Sequence, residues 1–462
     1  MSDAQLAPLR EEAPKTARFL FALSVFLLFY VSTMALSFVG FTYDLPDGPA
    51  WQKLHPATLV AVTAFVAALA LRPRPLHRLR MLVFAFPGAC YFILMWFFLM
   101  AHGVIDQNGH FTEMLEPYPF SLAALFLHDD FPQYYRRKIR LLLHVLICVN
   151  ALVGIAEYLT GWRVFPYVIS GLEIDGDYRS TALIGHPLLN ACTTGTYMLC
   201  LFLGGDRDLR PLWRVAALLT TTLAMIAFGG RTAIVSSSLV IALVTLRKIA
   251  GLLLGARIDV RHFLAGALVA PAVIGAVAAA AFSGVLDAFI ARFLDDNGSG
   301  EARVIVWQLF DKFDWADLAL GPRSDLVRSL LNSFGIEIGI ENNWLALLFQ
   351  YGAWMTFFFS CGLFALFWEF WRRGHKGITL LFVYFLIVIS SAIGLATKTM
   401  IFAQFSLLLL FLFERRDITA EEASSAPVGA GFAARRASTG YPQIRPAPRA
   451  GSRAEAPAHT FD

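Results

Sequence analysis

Apolar residues run along this chain in long unbroken blocks, near 19–41, 57–71, 81–101, 119–128, 141–159, 188–204, 215–228, 232–246, 263–283, 343–367, 378–396 and 400–413. A helix needs about 20 apolar residues to cross a bilayer, so the pattern predicts an all-α membrane bundle of about twelve transmembrane helices. A membrane β-barrel would alternate apolar and polar residues over about ten residues, and these blocks do not. The first block is too long for the apolar part of a signal peptide and has no small-residue cleavage site after it. It reads as the first span. The block at 119–128 is short and starts at prolines Pro117 and Pro119, so hydropathy alone would omit it.

Charge restores it. Residues 102–118 contain Asp106, Glu113 and Glu116 and no Lys or Arg, whereas Arg136, Arg137, Lys138 and Arg140 follow the block. By the positive-inside rule the chain changes sides there. The other basic loops are 72–80, 207–214, 247–261 and 372–376, and all of them are expected to face the cytoplasm. The longest alternate loop, about 284–342, holds ten Asp/Glu against five Lys/Arg and is expected outside. An even count of twelve then puts both termini inside. Residues 1–18 form a polar cytoplasmic start, and 19–413 the bundle. From Glu414 to Asp462 the chain is rich in Ala, Pro, Ser, Gly and Arg, a composition that cannot bury a core and predicts a disordered cytoplasmic tail.

Composition agrees with this reading: 57% of the residues are hydrophobic and 16% charged, with a mean hydropathy of +0.60. Soluble chains run nearer 45–50% and about 25%, so a soluble enzyme with one anchor is excluded. The net charge of +4 carries no general affinity for nucleic acid or acidic substrates. All five cysteines lie inside apolar runs, where they act as packing residues with neither disulfide nor metal-ligand spacing.

Four polar clusters sit at the predicted outer ends of spans, where each ionisable group needs a reason to be. The run Asp177-Tyr-Arg179-Ser-Thr-Ala-Leu-Ile-Gly-His186-Pro-Leu-Leu-Asn190 places Arg179, His186 and Asn190 at a helix entry. The turn Gly229-Gly230-Arg231-Thr232 pins Arg231 at the outer face, against the charge rule, which suits an anion-binding group. The run from Arg303 to Phe310 puts Arg303 and Trp307 at i, i+4 on a predicted amphipathic helix and leads on to Leu320-Gly321-Pro322-Arg323. There a guanidinium can grip phosphate and an indole can face a sugar ring. Finally, Glu341-Asn342-Asn343-Trp344 leads into a long apolar span. A helix start prefers one such residue, not three, and a carboxylate at the mouth of a bundle is placed to act as a general base.

Together these motifs resemble the O-antigen ligase and Wzy-type polysaccharide polymerase superfamily, most closely its VpsF-like exopolysaccharide branch. The matching elements are Gly230-Arg231-Thr232, Arg303 to Trp307 followed by Leu320-Gly321, Glu341-Asn342-Asn343-Trp344-Leu345 with Gly352 seven residues on, and the run from Arg179 to Asn190. The likeness covers about 160 to 410. It implies a GT-C-like glycosyltransferase with a large periplasmic catalytic loop, about 284–342. The implied reaction is an inverting, metal-independent transfer with no cofactor, in which undecaprenyl pyrophosphate leaves. Arg231, Arg303, Arg179 and Arg323 would hold the pyrophosphate. Trp307 and Asn342 would position sugars, and Glu341, or else His186, would accept the proton.

Ligases of this superfamily typically carry His where this chain has Glu341, which favours a polymerase of lipid-linked repeat units. Transfer to a lipid A core and transport by a flippase stay open as alternatives. The implied partners are the undecaprenyl-pyrophosphate-linked glycan, membrane lipid and other polysaccharide assembly and export proteins, with no nucleic acid.

Overall fold

The computed structural model describes residues 12–43, 49–105, 111–169, 172–173, 177–255, 304–335, 340–391 and 394–414, with scattered positions between 275 and 291. The predicted span at 263–283, Arg303 and the tail beyond Glu414 therefore lie outside the described residues, save for a few positions of that span. Everything up to Arg415 forms one compact unit. The other predicted apolar runs lie largely in helix, although 81–101 is split at Phe86 and the helix in 378–396 ends at Ile389.

The first run is broken in two: α1 (Lys15–Tyr30) stops at Val31, and Ser32 caps α2 (Thr33–Phe38) by accepting from Ala35 N. Next come α3 (Pro56–Ala70), α4 (Pro75–Ala85), α5 (Pro87–Ile105), the short α6 (Phe111–Leu115), α7 (Pro119–His128) and α8 (Gln133–Thr160). A hairpin of two residues per strand, β1 (Val168–Ile169) with β2 (Leu172–Glu173), interrupts the helices. The series resumes with α9 (Pro187–Phe202), α10 (Pro211–Phe228), α11 (Arg231–Leu253), a 3-10 turn at Val306–Lys312, α12 (Trp315–Leu320) and α13 (Ser324–Ser333). It closes with α14 (Asn343–Arg373), α15 (Ile378–Ile389) and α16 (Ile401–Leu407), the last running on through a π-turn at Leu408–Leu412. Proline opens several of these helices at the first position, where its missing N–H costs no hydrogen bond.

The fold is a predominantly helical bundle with the character of a multi-pass membrane protein. Among the described residues five helices, α5, α8, α10, α11 and α14, are long and apolar enough to cross a bilayer, and α3 with α4, bent by 118°, makes a sixth if counted as one broken span. Twelve full-length spans are not what the described residues contain. The remaining apolar helices are short because they are enclosed by protein. α7 has ten residues, nine of them buried, and Ile401 to Phe413 is buried throughout. Lipid gives no hydrophobic drive for helices to associate, so close packing must do it. Gly88 and Gly362 supply it between α5 and α14: a Cβ at Gly88 would collide with the Ala365 carbonyl, and one at Gly362 would lie 3.0 Å from Met95 Cβ.

The predicted basic loops gather at one end of the bundle. Asp130 binds Arg72 at 2.9 Å and also Arg78. Arg140 contacts Asp206, Asp208 and Glu414 at 3.3–3.4 Å, with Arg136 also on Glu414. Arg373 joins Glu369 to Asp129, and Arg207 donates to His375. Ala13 N bonds Asp130 O, so the first and last described residues both lie here. The short α7 starts at the opposite end, where Tyr118 bonds Leu395 O, and finishes beside Asp130. The chain does change ends across it, over about 15 Å, along a path sheathed in protein.

Candidate functional site

The end opposite the basic loops is assembled around a buried carboxylate. Glu157, near the end of α8, accepts from Val164 N at 2.8 Å, Ser180 Oγ at 2.6 Å, Thr181 N at 3.0 Å and Ala182 N at 2.8 Å. It therefore folds the connection 161–182 back onto the bundle and fixes Arg179. The Arg179 guanidinium grips Asp177, Nε at 2.9 Å and Nη2 at 2.5 Å from Oδ2, and stacks over the Tyr167 ring at 5.1 Å. The fork that the resemblance assigns to pyrophosphate is thus held by Asp177 in this state.

The Arg231 turn lies directly on this loop. Ser180 N donates to Ala227 O at 3.0 Å, and a Cβ at Gly229 would come within 2.8 Å of Arg179 Cγ. Gly229 has φ +61, a conformation that ends α10 cheaply only for glycine. Gly230 packs against Ala191 of α9, so Arg231 begins α11 beside the helix that His186 opens. The first two clusters form one site.

His186 caps α9 by accepting from Leu188 N at Nδ1, 3.2 Å away. Its neutral ring therefore carries its proton on Nε2. Burial, with the Arg179 charge second, pushes its pKa down to about 4. Such an imidazole is a donor and a weak base. Asn190 is buried and tied to Asn150 Nδ2 at 2.7 Å, which makes it a packing residue of the bundle.

The other two clusters also meet. Gly352 breaks α14 with φ 79 and ψ 168, a region essentially closed to side chains. The break lets the Leu320-Gly321 backbone lie against it: a Cβ at Gly352 would clash with Gly321 N, 2.5 Å from Leu320 C and 2.8 Å from Ala319 O. Phe310 and Phe313 pack on Phe349 at 5.1 and 5.8 Å. The stretch expected to be an amphipathic helix is a 3-10 turn here, whose period of three turns Val306 and Leu309 into the core together. Trp307 stays exposed and stacks on Phe310 at 5.5 Å, leaving one indole face open. Arg323 is exposed and paired with Asp325 at 2.6 Å.

Glu341 is half-buried just before the α14 start. The two amides beside it divide their roles. Asn342 Oδ1 caps the helix, accepting from Trp344 N and Leu345 N at 3.0 and 3.1 Å. Asn343 is fully buried and holds Leu395 N at 2.8 Å, and Trp344 Nε1 reaches Ser390 Oγ at 2.9 Å. The loop between α15 and α16 is therefore tied to the Glu341 segment.

Two charged residues outside the four motifs also converge on this loop. Lys398 donates to Tyr43 O at 2.9 Å and lies 5.2 Å over the Tyr43 ring. Glu116, fully buried, accepts from Thr58 Oγ1 at 2.6 Å and His55 N at 2.9 Å. Burial pushes its pKa up to about 7 against these bonds and the Lys398 charge. The one signal in the sequence was the acidic loop 102–118. Among the described residues no group of three His, Cys, Asp or Glu is placed to hold a metal ion.

The described contacts join the four clusters into two pairs at one end: Arg179 and His186 with the Arg231 turn, and the 306–321 stretch with Glu341 to Gly352. No protein-family model, no curated protein and no solved structure matches the chain.

Proposed function

We propose that this protein is a polysaccharide polymerase of the inner membrane, joining lipid-pyrophosphate-linked oligosaccharide units on the periplasmic face. The observation that carries the reading is that every motif of the resemblance within the described residues lies at the bundle end opposite the basic loops, with Gly321 seated on Gly352 and Arg179 on Gly229. The positive-inside rule assigns the basic end to the cytoplasm. The motif end then faces the periplasm, where lipid-linked repeat units are displayed. The twelve-span, GT-C-like architecture belongs to this proposal.

In the proposed step, an acceptor hydroxyl attacks C1 of the donor sugar as the C1–O bond to pyrophosphate breaks. Glu341 takes the hydroxyl proton. Arg231 and Arg303 receive the charge that builds on the departing pyrophosphate, with Arg179 joining them if phosphate displaces Asp177. Trp307 offers its open face to a sugar ring. Asn342 acts by fixing the helix start behind Glu341. Ligation to a lipid acceptor would use the same groups.

One observation favours transport as the second reading: α1–α2 and α14 are both interrupted, as helices of transporters often are. The lipid-linked glycans of a deletion strain distinguish the three. Single repeat units facing the periplasm support polymerisation, units trapped inside indicate a flippase, and long chains left on the carrier indicate a ligase.

A further inference from the structure

At the basic end, the described carboxylates already have cationic partners. Asp129 holds Arg373, Asp130 holds Arg72 and Arg78, and Asp206 and Asp208 hold Arg140. Glu369 holds Arg372 and Arg373, and Glu414 holds Arg136 and Arg140. Arg207, Lys248 and Lys376 are among the exposed cations that take part in none of the described ion pairs.

They sit together. Helices α9, α11 and α15 pack pairwise, and each brings one of the three to the same end. Lys248 of α11 lies 5.7 Å over the ring of Phe202, the last residue of α9. Arg207, just beyond α9, donates to His375 Nε2 at 2.6 Å, next to Lys376. The loop before α15 rests on the end of α9, since a Cβ at Gly377 would lie 3.5 Å from Leu203 Cβ. Arginine can only donate, so His375 accepts and is neutral there. Burial and the Arg207 and Lys376 charges hold its pKa below the ordinary value, so it adds no charge of its own.

Beside this corner α11 presents an exposed apolar face. The apolar window of α11 is only 22% buried, with Leu239, Leu243 and Leu246 exposed along it. Three like charges with no counter-ion among the described residues, at the end of an exposed apolar helix face, have the composition of a headgroup site. We infer that the corner formed by Arg207, Lys248 and Lys376 binds the headgroup phosphate of an anionic phospholipid, with the acyl chains lying along α11. The inference needs only that the bundle spans a membrane and is independent of glycosyl transfer at the other end.

The test is native mass spectrometry of the purified full-length protein in detergent, titrated with phosphatidylglycerol, phosphatidylethanolamine or inorganic phosphate. Wild type should retain phosphatidylglycerol selectively. The triple variant Arg207→Ala, Lys248→Ala, Lys376→Ala should bind it about a hundredfold more weakly, and Arg207→Gln alone about fivefold, from roughly 1 kcal/mol per cation. A control that removes three other charges, Arg74→Ala, Arg80→Ala, Lys138→Ala, should stay close to wild type. Equal losses in the triple variant and the control would overturn the site. So would equal retention of phosphatidylethanolamine, and displacement by inorganic phosphate would reassign it to a free anion.

Discussion

Replacing Glu157 by Gln tests how the Arg179 loop is held. In the native structure two carboxylate oxygens receive four donors, three from Ser180 Oγ, Thr181 N and Ala182 N onto Oε2 and one from Val164 N onto Oε1. The amide can keep its oxygen towards the group of three but must then turn its NH2 at Val164 N. One buried donor is orphaned, at about 1–3 kcal/mol, and three charge-assisted bonds become neutral ones, each weaker by about 1 kcal/mol. The lower desolvation cost of an amide offsets part of this. The net loss is about 2–4 kcal/mol, concentrated on residues 161–182. Hydrogen exchange should show faster opening of that segment than of α14, and polymer yield should fall although Glu157 touches no substrate. Wild-type protection of residues 177–183 in the variant would refute the clamp.

Gly352→Ala should yield little folded protein, because its Cβ meets the Gly321 backbone and the conformation is closed to side chains; normal expression and activity would mean that the 320–321 stretch does not seat there in the membrane. Arg231→Ala should abolish polymer at normal protein level, with Lys restoring little because a point charge lacks the bidentate fork; wild-type polymer from the Ala variant would return Arg231 to a lipid-facing role. His186→Asn keeps a good helix cap and removes the imidazole, so elongation in membranes should persist; a dead enzyme with an intact fold would move the general base to His186.

Much of the helix pattern was legible in the sequence because apolar runs and loop charge are local signals. Loop charge placed a change of ends at 119–128 that hydropathy missed, and Asp130 with Arg72 shows why the charges there matter. Span number was less legible. Hydropathy cannot distinguish a lipid-crossing helix from one such as Ile401–Leu412 that is apolar because protein surrounds it. The four polar clusters could be named from the sequence, but not their contacts. Gly321 and Gly352 were noted as motif members, yet their backbone contact needs the break at Gly352, which no periodicity reports. Two charges outside the four motifs, Glu157 and Lys398, tie down loops at the motif end. The roles of Asn342 and Asn343 separate only once the cap is seen, since adjacent amides look alike in sequence.

The most direct test of the central claim is chain extension by purified protein reconstituted with lipid-pyrophosphate-linked repeat units, comparing wild type with Glu341→Gln. The amide preserves hydrogen bonding at the helix start and loses only the proton acceptor, which is worth about 10² to 10⁴ in rate. Wild type should convert single units into a ladder of longer chains, and the variant should leave them as single units. A ladder from the variant equal to that of wild type would remove Glu341 from the chemistry, and no ladder from wild type would contradict the polymerase assignment itself.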